Sequence, residues 1–395
     1  MNRGRKQAGA SIYWRLSNLY FWFFALLGAM LPYWSLYLED RGFSYLQIAA
    51  LMATIQLTKI VAPNVWGWLG DRTGQRVRLV RLGSVVGAIC FTGVFLEPGF
   101  YGLMLVMLAF TFFWNAILPL YEVITLQGLG KDRARYGRVR LWGSVGFIAS
   151  VALIGLILEY LPLEWLPAIL MPLFLGIAVA AFCVPSRQGQ IRPQVSPGGL
   201  RAIVLQSTVL AFFAMNFLLQ LSHGAYYTFF SIHLESLGYD KFSVGLLWSL
   251  GVAAEIVLFI VMHRVFQRYS ARAIAIGALV LTCLRWMLIA EYSADVPILV
   301  FAQLLHAASY GALHAVSVNY IHSYFGHQHH GQGQALYSGL TYGAGGAVGA
   351  WLSGLLVEWQ GTALAFWGSA VAIGMALVIA AVWLRSPPGE TPAPQ

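Results

Sequence analysis

Twelve stretches of this chain stay apolar for about twenty residues each, near 13–37, 44–69, 79–97, 100–129, 139–160, 163–184, 203–234, 242–262, 272–292, 296–324, 333–357 and 361–384. A run of about 20 apolar residues is long enough to span a bilayer as a helix. Backbone groups without water must bond within the protein, so only helices or a closed β-barrel can cross. No stretch alternates apolar and polar with period two, which argues against a barrel. The pattern predicts an all-α membrane protein with twelve transmembrane helices. Composition agrees, with 59% hydrophobic and 10% charged residues, where a soluble domain carries about 25% charge.

Charge placement sets the expected orientation. Lys and Arg gather before the first span (Arg3, Arg5, Lys6, Arg15). They then fill alternate loops, with Arg72, Arg76, Arg78 and Arg81 in the first and Arg264, Arg268 and Arg272 in a later one. Acids such as Glu39, Asp40, Glu97, Glu159, Glu235 and Asp295 hold the opposite loops. By the positive-inside rule both termini are cytoplasmic, consistent with an even number of spans. The net charge of +9 is therefore a topology signal, and no nucleic-acid partner is expected. The basic N-terminus has no small-residue cleavage site after its apolar run, so the first span reads as retained. Cys90, Cys183 and Cys283 fall far apart inside spans and read as small buried hydrophobes.

The chain also repeats itself. Leu38, Glu39, Gly42 and Phe43 recur 196 positions later as Leu234, Glu235, Gly238 and Tyr239, and Arg72 and Arg76 meet Arg268 and Arg272 at the same offset. Residues 185–201 are polar with Pro and Gly, a linker composition. The expected organisation is a six-helix bundle over 1–184, a cytoplasmic linker over 185–201, a second bundle over 202–386 and a flexible tail over 387–395. Parallel repeats of this kind are a transporter architecture, with the substrate site near mid-membrane.

Gly67 to Arg76 reads GWLGDRTGQR. It resembles the signature loop of the major facilitator superfamily, a Gly followed by Asp-Arg and a Gly with basic residues between spans two and three. Gly70 and Gly74 suit a tight turn, and Asp71 among arginines suggests a specific ion pair. The resemblance implies a conformational gate built from Gly67, Asp71, Arg72 and Arg76. The second copy, MHRVFQRYSAR, has Gln267 where the acid belongs, which predicts a weaker latch.

Five charges lie inside spans: Lys59, Glu122, Arg140, Glu255 and Arg285. Each costs roughly 2.5–3.5 kcal/mol at bilayer depth, so each calls for a partner or a watery cavity. Lys59 and Glu255 are repeat mates, 196 positions apart. Lys59 either snorkels to the membrane edge or faces a cavity, where it would favour an anion. A Glu in a partly dry site can hold a proton near neutrality, and a nearby Arg favours its release.

The segment YGRVRLWGSVGF (136–147) is similar to that of the lactose and 3-phenylpropionate permease group, as are SHGAYY and LLWSLGVAAE. That resemblance implies that Glu122 and Arg140, eighteen positions apart, form a substrate-side ion pair, expected as a bidentate fork. It also implies proton coupling through Glu255, Arg285 and His306, with His314 in support. The chain departs from the lactose permease pattern at Ser309, which stands where a further acid follows the histidine.

Aromatics supply the remaining candidates. His223, Tyr226, Tyr227 and Phe230 follow helical spacing on the seventh span, and Tyr33, Trp114 and Tyr310 lie on the first, fourth and tenth. In the superfamily most of these helices line the cavity, and mid-span Tyr and Trp suit stacking on a ring or sugar face. The expected substrate-binding set is Glu122, Arg140, Lys59, Tyr33, Trp114, His223, Tyr226, Tyr227 and Tyr310. The Gly-rich eleventh span (Gly339, Gly343, Gly345, Gly346, Gly349) suits close helix packing. His327, His329 and His330 read as a solvated loop, with no metal expected.

The resemblance implies a proton-coupled symporter that imports a small organic solute, an aromatic acid or a sugar or nucleoside. It would be a monomer in the cell inner membrane, with the proton gradient as energy source and no cofactor. A drug/proton antiporter and a non-transporting membrane sensor are the alternatives. No P-loop, metal triad or acyltransferase-type His-Asp pair points to an enzyme.

Overall fold

The computed structural model describes residues 2–130, 135–185 and 199–387, with side chains from Ile12 onward except that of His327. Among these residues there is no strand. Twelve helices are long and apolar enough to span a membrane: α1 Ile12–Asp40, α2 Tyr45–Thr73, α3 Arg76–Leu96, α4 Phe100–Leu129, α5 Tyr136–Leu158, α6 Leu163–Cys183, α7 Ser207–Ser236, α8 Lys241–Arg268, α9 Ala271–Tyr292, α10 Val296–Gly326, α11 Gln328–Gln360 and α12 Thr362–Trp383. Every apolar stretch in the sequence becomes one of them. The all-α, twelve-span reading holds.

The internal repeat is visible in backbone geometry. α1 and α7 end on Gly42 and Gly238, at φ 79° and 87°, a left-handed conformation that glycine adopts without a Cβ penalty. In each case a long hydrogen bond closes the helix end. Phe43 N–H donates to the Leu38 carbonyl at 3.2 Å, and Tyr239 N–H to the Leu234 carbonyl at 3.1 Å. These are the six-to-one bonds of a Schellman-type cap, and they fall on the residues that repeat in sequence.

The chain forms two compact units. One holds residues up to Phe43, those from Leu57 to the end of α6, and Lys241–Gly245; the other holds Ser44–Gln56, α7, and everything from Leu246 on. The opening turns of α2 and α8, which are repeat mates, thus each join the unit that does not contain the rest of their helix. Of the expected linker and tail, residues 186–198 and 388–395 lie outside the described residues.

Glycine sets the closest helix approaches in both units. In the first, a Cβ on Gly146 would sit 2.2 Å from the Phe21 carbonyl oxygen and one on Gly28 2.6 Å from that of Phe147, so α1 and α5 touch backbone to backbone. In the second, a Cβ on Gly349 would lie 2.2 Å from the Leu221 carbonyl oxygen and one on Gly224 2.1 Å from the Gly349 carbonyl carbon. That makes α7 and α11 the counterpart pair. Without a hydrophobic drive between helices in lipid, such small-residue contact is how they adhere. Gly345 takes part too, but Gly339 has no neighbour within 4 Å of a built Cβ.

Two local expectations need correction. Gly70 is helical, inside α2, and makes room for Leu120 and Arg76; the turn is made at Gly74 alone, at φ 66°. The histidine cluster is not an extended loop. The chain reverses its helical path at Gly326, at φ 54°, and His329 and His330 already belong to α11.

Candidate functional site

The second unit holds a dense polar cluster built by α7, α8, α9 and α10. Arg285 of α9 is fully buried. Its guanidinium donates to Ser309 Oγ at 2.9 Å and to Gln303 Oε1 at 3.1 Å, both on α10. It lies 4.4 Å from the ring centres of Tyr226 and Trp286, an aromatic cage that suits a cation. Among the described residues no carboxylate reaches it, and its Nε is buried without a hydrogen-bond partner. Gln303 locks the arrangement, donating to Tyr226 Oη at 3.1 Å and to the Leu247 carbonyl at 3.0 Å.

Glu255 of α8 is half-buried beside this cage. Its carboxylate lies 3.8 Å from His306 Nε2. Two glycines permit the approach of α8 and α10: a Cβ on Gly251 would meet the His306 ring at 3.2 Å, and one on Gly311 would meet Glu255 Cγ at 3.1 Å. Here α10 carries a wide π-turn over Ala307–Ala312, a feature often found at functional sites. The turn leaves His306, Tyr310 and His314 stacked along one face, with ring centres 5.8 and 6.0 Å apart and planes within 12° and 8° of parallel.

That ladder continues into α11, itself π-wound over Ser338–Gly345. His314 Nδ1 lies 3.1 Å from Tyr342 Oη, and Tyr337 Oη lies 3.3 Å from Tyr342 Oη. Ser317 turns aside and donates to Asn216 Oδ1 at 2.9 Å. On α7, His223 and Tyr226 are buried and Tyr227 half-buried. His223 uses Nδ1 on the Leu219 carbonyl at 2.8 Å, stacks on Tyr227 at 5.7 Å, and has its Nε2 buried without a partner.

The first unit is arranged differently. Tyr136 donates to the half-buried Glu122 at 3.4 Å, and Arg140 places its guanidinium 3.9 Å from the centre of the Phe24 ring. The two charges are within electrostatic reach of each other, but the expected bidentate fork is not closed: the ring of Phe24 takes the guanidinium instead. Lys59 on α2 is half-buried, with no ion-pair partner among the described residues. Its neighbour Thr58 is tied to α4, donating to Thr111 Oγ1 at 3.0 Å and accepting from Asn115 at 2.8 Å. Trp114 is buried against Phe23 with ring centres 5.5 Å apart. Tyr33 is fully buried and spends its hydroxyl on the Val151 carbonyl at 2.9 Å.

At the α2–α3 turn, Asp71 accepts from Arg76 in an ion pair, and Arg72 lies 5.3 Å over the Trp68 ring. Gly67 has open space around it. The second-unit counterpart lacks this acid, as Gln267 predicts. There Ser270 caps α9 by accepting from Ala273 N–H at 3.2 Å, and Arg272 donates to the Ala381 carbonyl at 2.7 Å.

Sequence reading missed Gln303, Tyr337 and Tyr342. Gln303 had a usable signal, an amide inside a span about one turn before His306. The tyrosines had none, because a Gly-rich helix gives no hint of which face it turns inward.

Twelve spanning helices in two repeats, each holding ionisable groups inside, define a multi-pass membrane transporter. The chain belongs to the MFS_1 like family, whose model matches residues 13–367. It is 30% identical over 358 residues, 88% of this chain and 92% of the relative, to the "Probable 3-phenylpropionic acid transporter" of Escherichia coli (strain K12). It is 24% identical to the maltose permease of Geobacillus stearothermophilus, over 91% of this chain and 92% of that one. Among solved structures, a mutant of the nucleoside transporter NupG superposes with TM-score 0.81 at 18% identity, over 94% of this chain and 98% of the other, which speaks for the fold alone.

Proposed function

We propose that the chain is a proton-coupled symporter that imports a small aromatic carboxylic acid across the inner membrane. The observation that carries this reading is the half-buried Glu255 carboxylate 3.8 Å from His306 Nε2, with the caged Arg285 behind them. A carboxylate poised between partial burial and a basic neighbour can take up and release a proton as its surroundings change. Arg285 cannot deprotonate, so it serves as the fixed positive charge against which Glu255 or a substrate anion is balanced. His306 and His314, joined through Tyr310, are the groups able to pass that proton on.

On the substrate side, within the first unit, Lys59 and Arg140 offer positive charge, Glu122 a hydroxyl acceptor, and Trp114 a ring face. Positive charge with an aromatic face suits an aromatic acid, and the relative described as a probable 3-phenylpropionic acid transporter supports that class. The Asp71–Arg76 pair acts as a latch that is broken and remade during transport. Both termini lie in the cytoplasm, and the chain works as a monomer.

The test is uptake into right-side-out vesicles of labelled 3-phenylpropionate, maltose and uridine, with and without an inward pH gradient. Uphill accumulation of the aromatic acid that collapses with the gradient is the expected result. Accumulation of the sugar or nucleoside alone would move the substrate class, and gradient-independent uptake would remove the proton. Extrusion in place of uptake would make the chain an antiporter.

A further inference from the structure

The first unit carries a cavity of about 640 Å³ lined by Trp14, Arg15, Asn18 and Phe21 of α1, Trp142 of α5 and Phe182 of α6. It has a rigid frame. Trp142 Nε1 donates to Tyr13 Oη at 2.9 Å, and Tyr13 Oη donates to the Arg138 carbonyl at 3.3 Å. The rings of Trp14 and Trp142 meet at 5.2 Å. On the other wall, Arg81 holds the end of α6 by donating to the carbonyls of Ala181, Phe182 and Val184 at 3.2, 3.3 and 3.0 Å.

Inside this frame polar groups go unused. Ser17 also lines the cavity, is 2% exposed, and its Oγ has no hydrogen-bond partner. Among the described residues, the side chains of Arg15 and Asn18 have no partner either. One positive charge and two neutral polar groups therefore share a niche with four aromatic rings. The flanking surface is apolar and exposed, with Leu141 and Val145 on α5 and Leu175 and Val179 on α6, as a face against acyl chains must be. The niche sits at the end of the bundle where the arginines gather, the end that the positive-inside rule assigns to the anionic leaflet.

We propose that this cavity binds one anionic phospholipid, its phosphate on Arg15 and Asn18 and an acyl chain along Phe21, Trp142 and Phe182. A basic charge supplies the anion contact, the indoles sit at headgroup depth as interfacial tryptophans do, and the aromatic walls take the chain. The site is independent of the transport reading.

Native mass spectrometry of the full chain tests it, after incubation with phosphatidylglycerol or with phosphatidylcholine of the same acyl chains. The wild type should retain one phosphatidylglycerol, in preference to phosphatidylcholine by about fivefold, the worth of one interfacial cation. Arg15→Gln should erase the preference. Asn18→Leu, which alters no charge, should weaken retention and covers the case in which Arg15→Gln fails to fold. Arg78→Gln, at the same end but outside the cavity, should leave retention unchanged. Equal loss in Arg78→Gln and Arg15→Gln would reduce the effect to general attraction and overturn the site. Equal retention of the two lipids, or displacement by inorganic phosphate at millimolar level, would overturn it as well.

Discussion

Arg285 donates to the hydroxyl of Ser309 at 2.9 Å, a neutral acceptor where a buried guanidinium ordinarily meets a carboxylate. Together with Gln303 and two aromatic rings, that hydroxyl holds a full positive charge inside the second unit. A hydrogen bond to a charged group contributes about 1.5–3 kcal/mol, and leaving the charge unmet costs in that range. Ser309→Ala should therefore lower unfolding stability by about 2 kcal/mol, read by thermal or denaturant melts in detergent. An unchanged midpoint would remove Ser309 from the support of Arg285.

Glu255→Gln keeps the shape of the side chain and removes its charge. It should abolish uphill uptake while exchange of labelled for unlabelled substrate across the membrane persists. Exchange needs only loaded carrier and so does not require proton release. Surviving accumulation would strip Glu255 of the proton role.

Gly311 stands opposite Glu255, and a Cβ there would lie 3.1 Å from Glu255 Cγ and 3.1 Å from Leu258 Cδ2. Both atoms belong to side chains, so the helices can stay in place while the carboxylate is displaced from His306. Gly311→Val should cut uphill accumulation by about tenfold, the effect of about 1.4 kcal/mol, with normal expression and melting. A fall in folded yield equal to the fall in transport would mean that Gly311 only packs.

Asp71→Asn removes the acceptor charge from the pair with Arg76. The pair sits at the end of α2, about three helical turns beyond Lys59, so the change should slow turnover and leave KM unaltered. A raised KM with normal turnover would reassign Asp71 to substrate binding.

Gly349 and Gly339 lie on the same helix but differ in their surroundings. A Cβ on Gly349 meets the Leu221 carbonyl oxygen at 2.2 Å, whereas one on Gly339 meets nothing within 4 Å. Gly349→Val should cost folded yield severely, because backbone cannot step aside, and Gly339→Ala should be neutral. Fluorescence size-exclusion chromatography of tagged variants distinguishes the two.

Much of the fold was written in local sequence. Apolar length predicts each spanning helix because a bilayer leaves the backbone no alternative. The 196-residue repeat carries through to the backbone, where Gly42 and Gly238 close equivalent helix ends, since a left-handed residue at a cap is a local requirement. The site was legible only as a set of residue types. The resemblance to the permease group brought Glu122 and Arg140 forward as a pair, but a guanidinium chooses between a carboxylate and a ring by what three-dimensional packing offers, and Phe24 of α1 was placed by the fold.

The sequence by itself determined how many helices cross, where the charges sit along them, and which positions in one half answer those in the other. Tertiary structure decided which of those charges meet. Glu255 finds His306 because Gly251 and Gly311 let α8 and α10 approach and a π-turn rotates the α10 face, while Arg285 is left to Ser309, Gln303 and two rings. Helix formation in a membrane depends on each segment's own length and hydropathy. Partner choice depends on packing between segments far apart in the chain, which no local pattern carries.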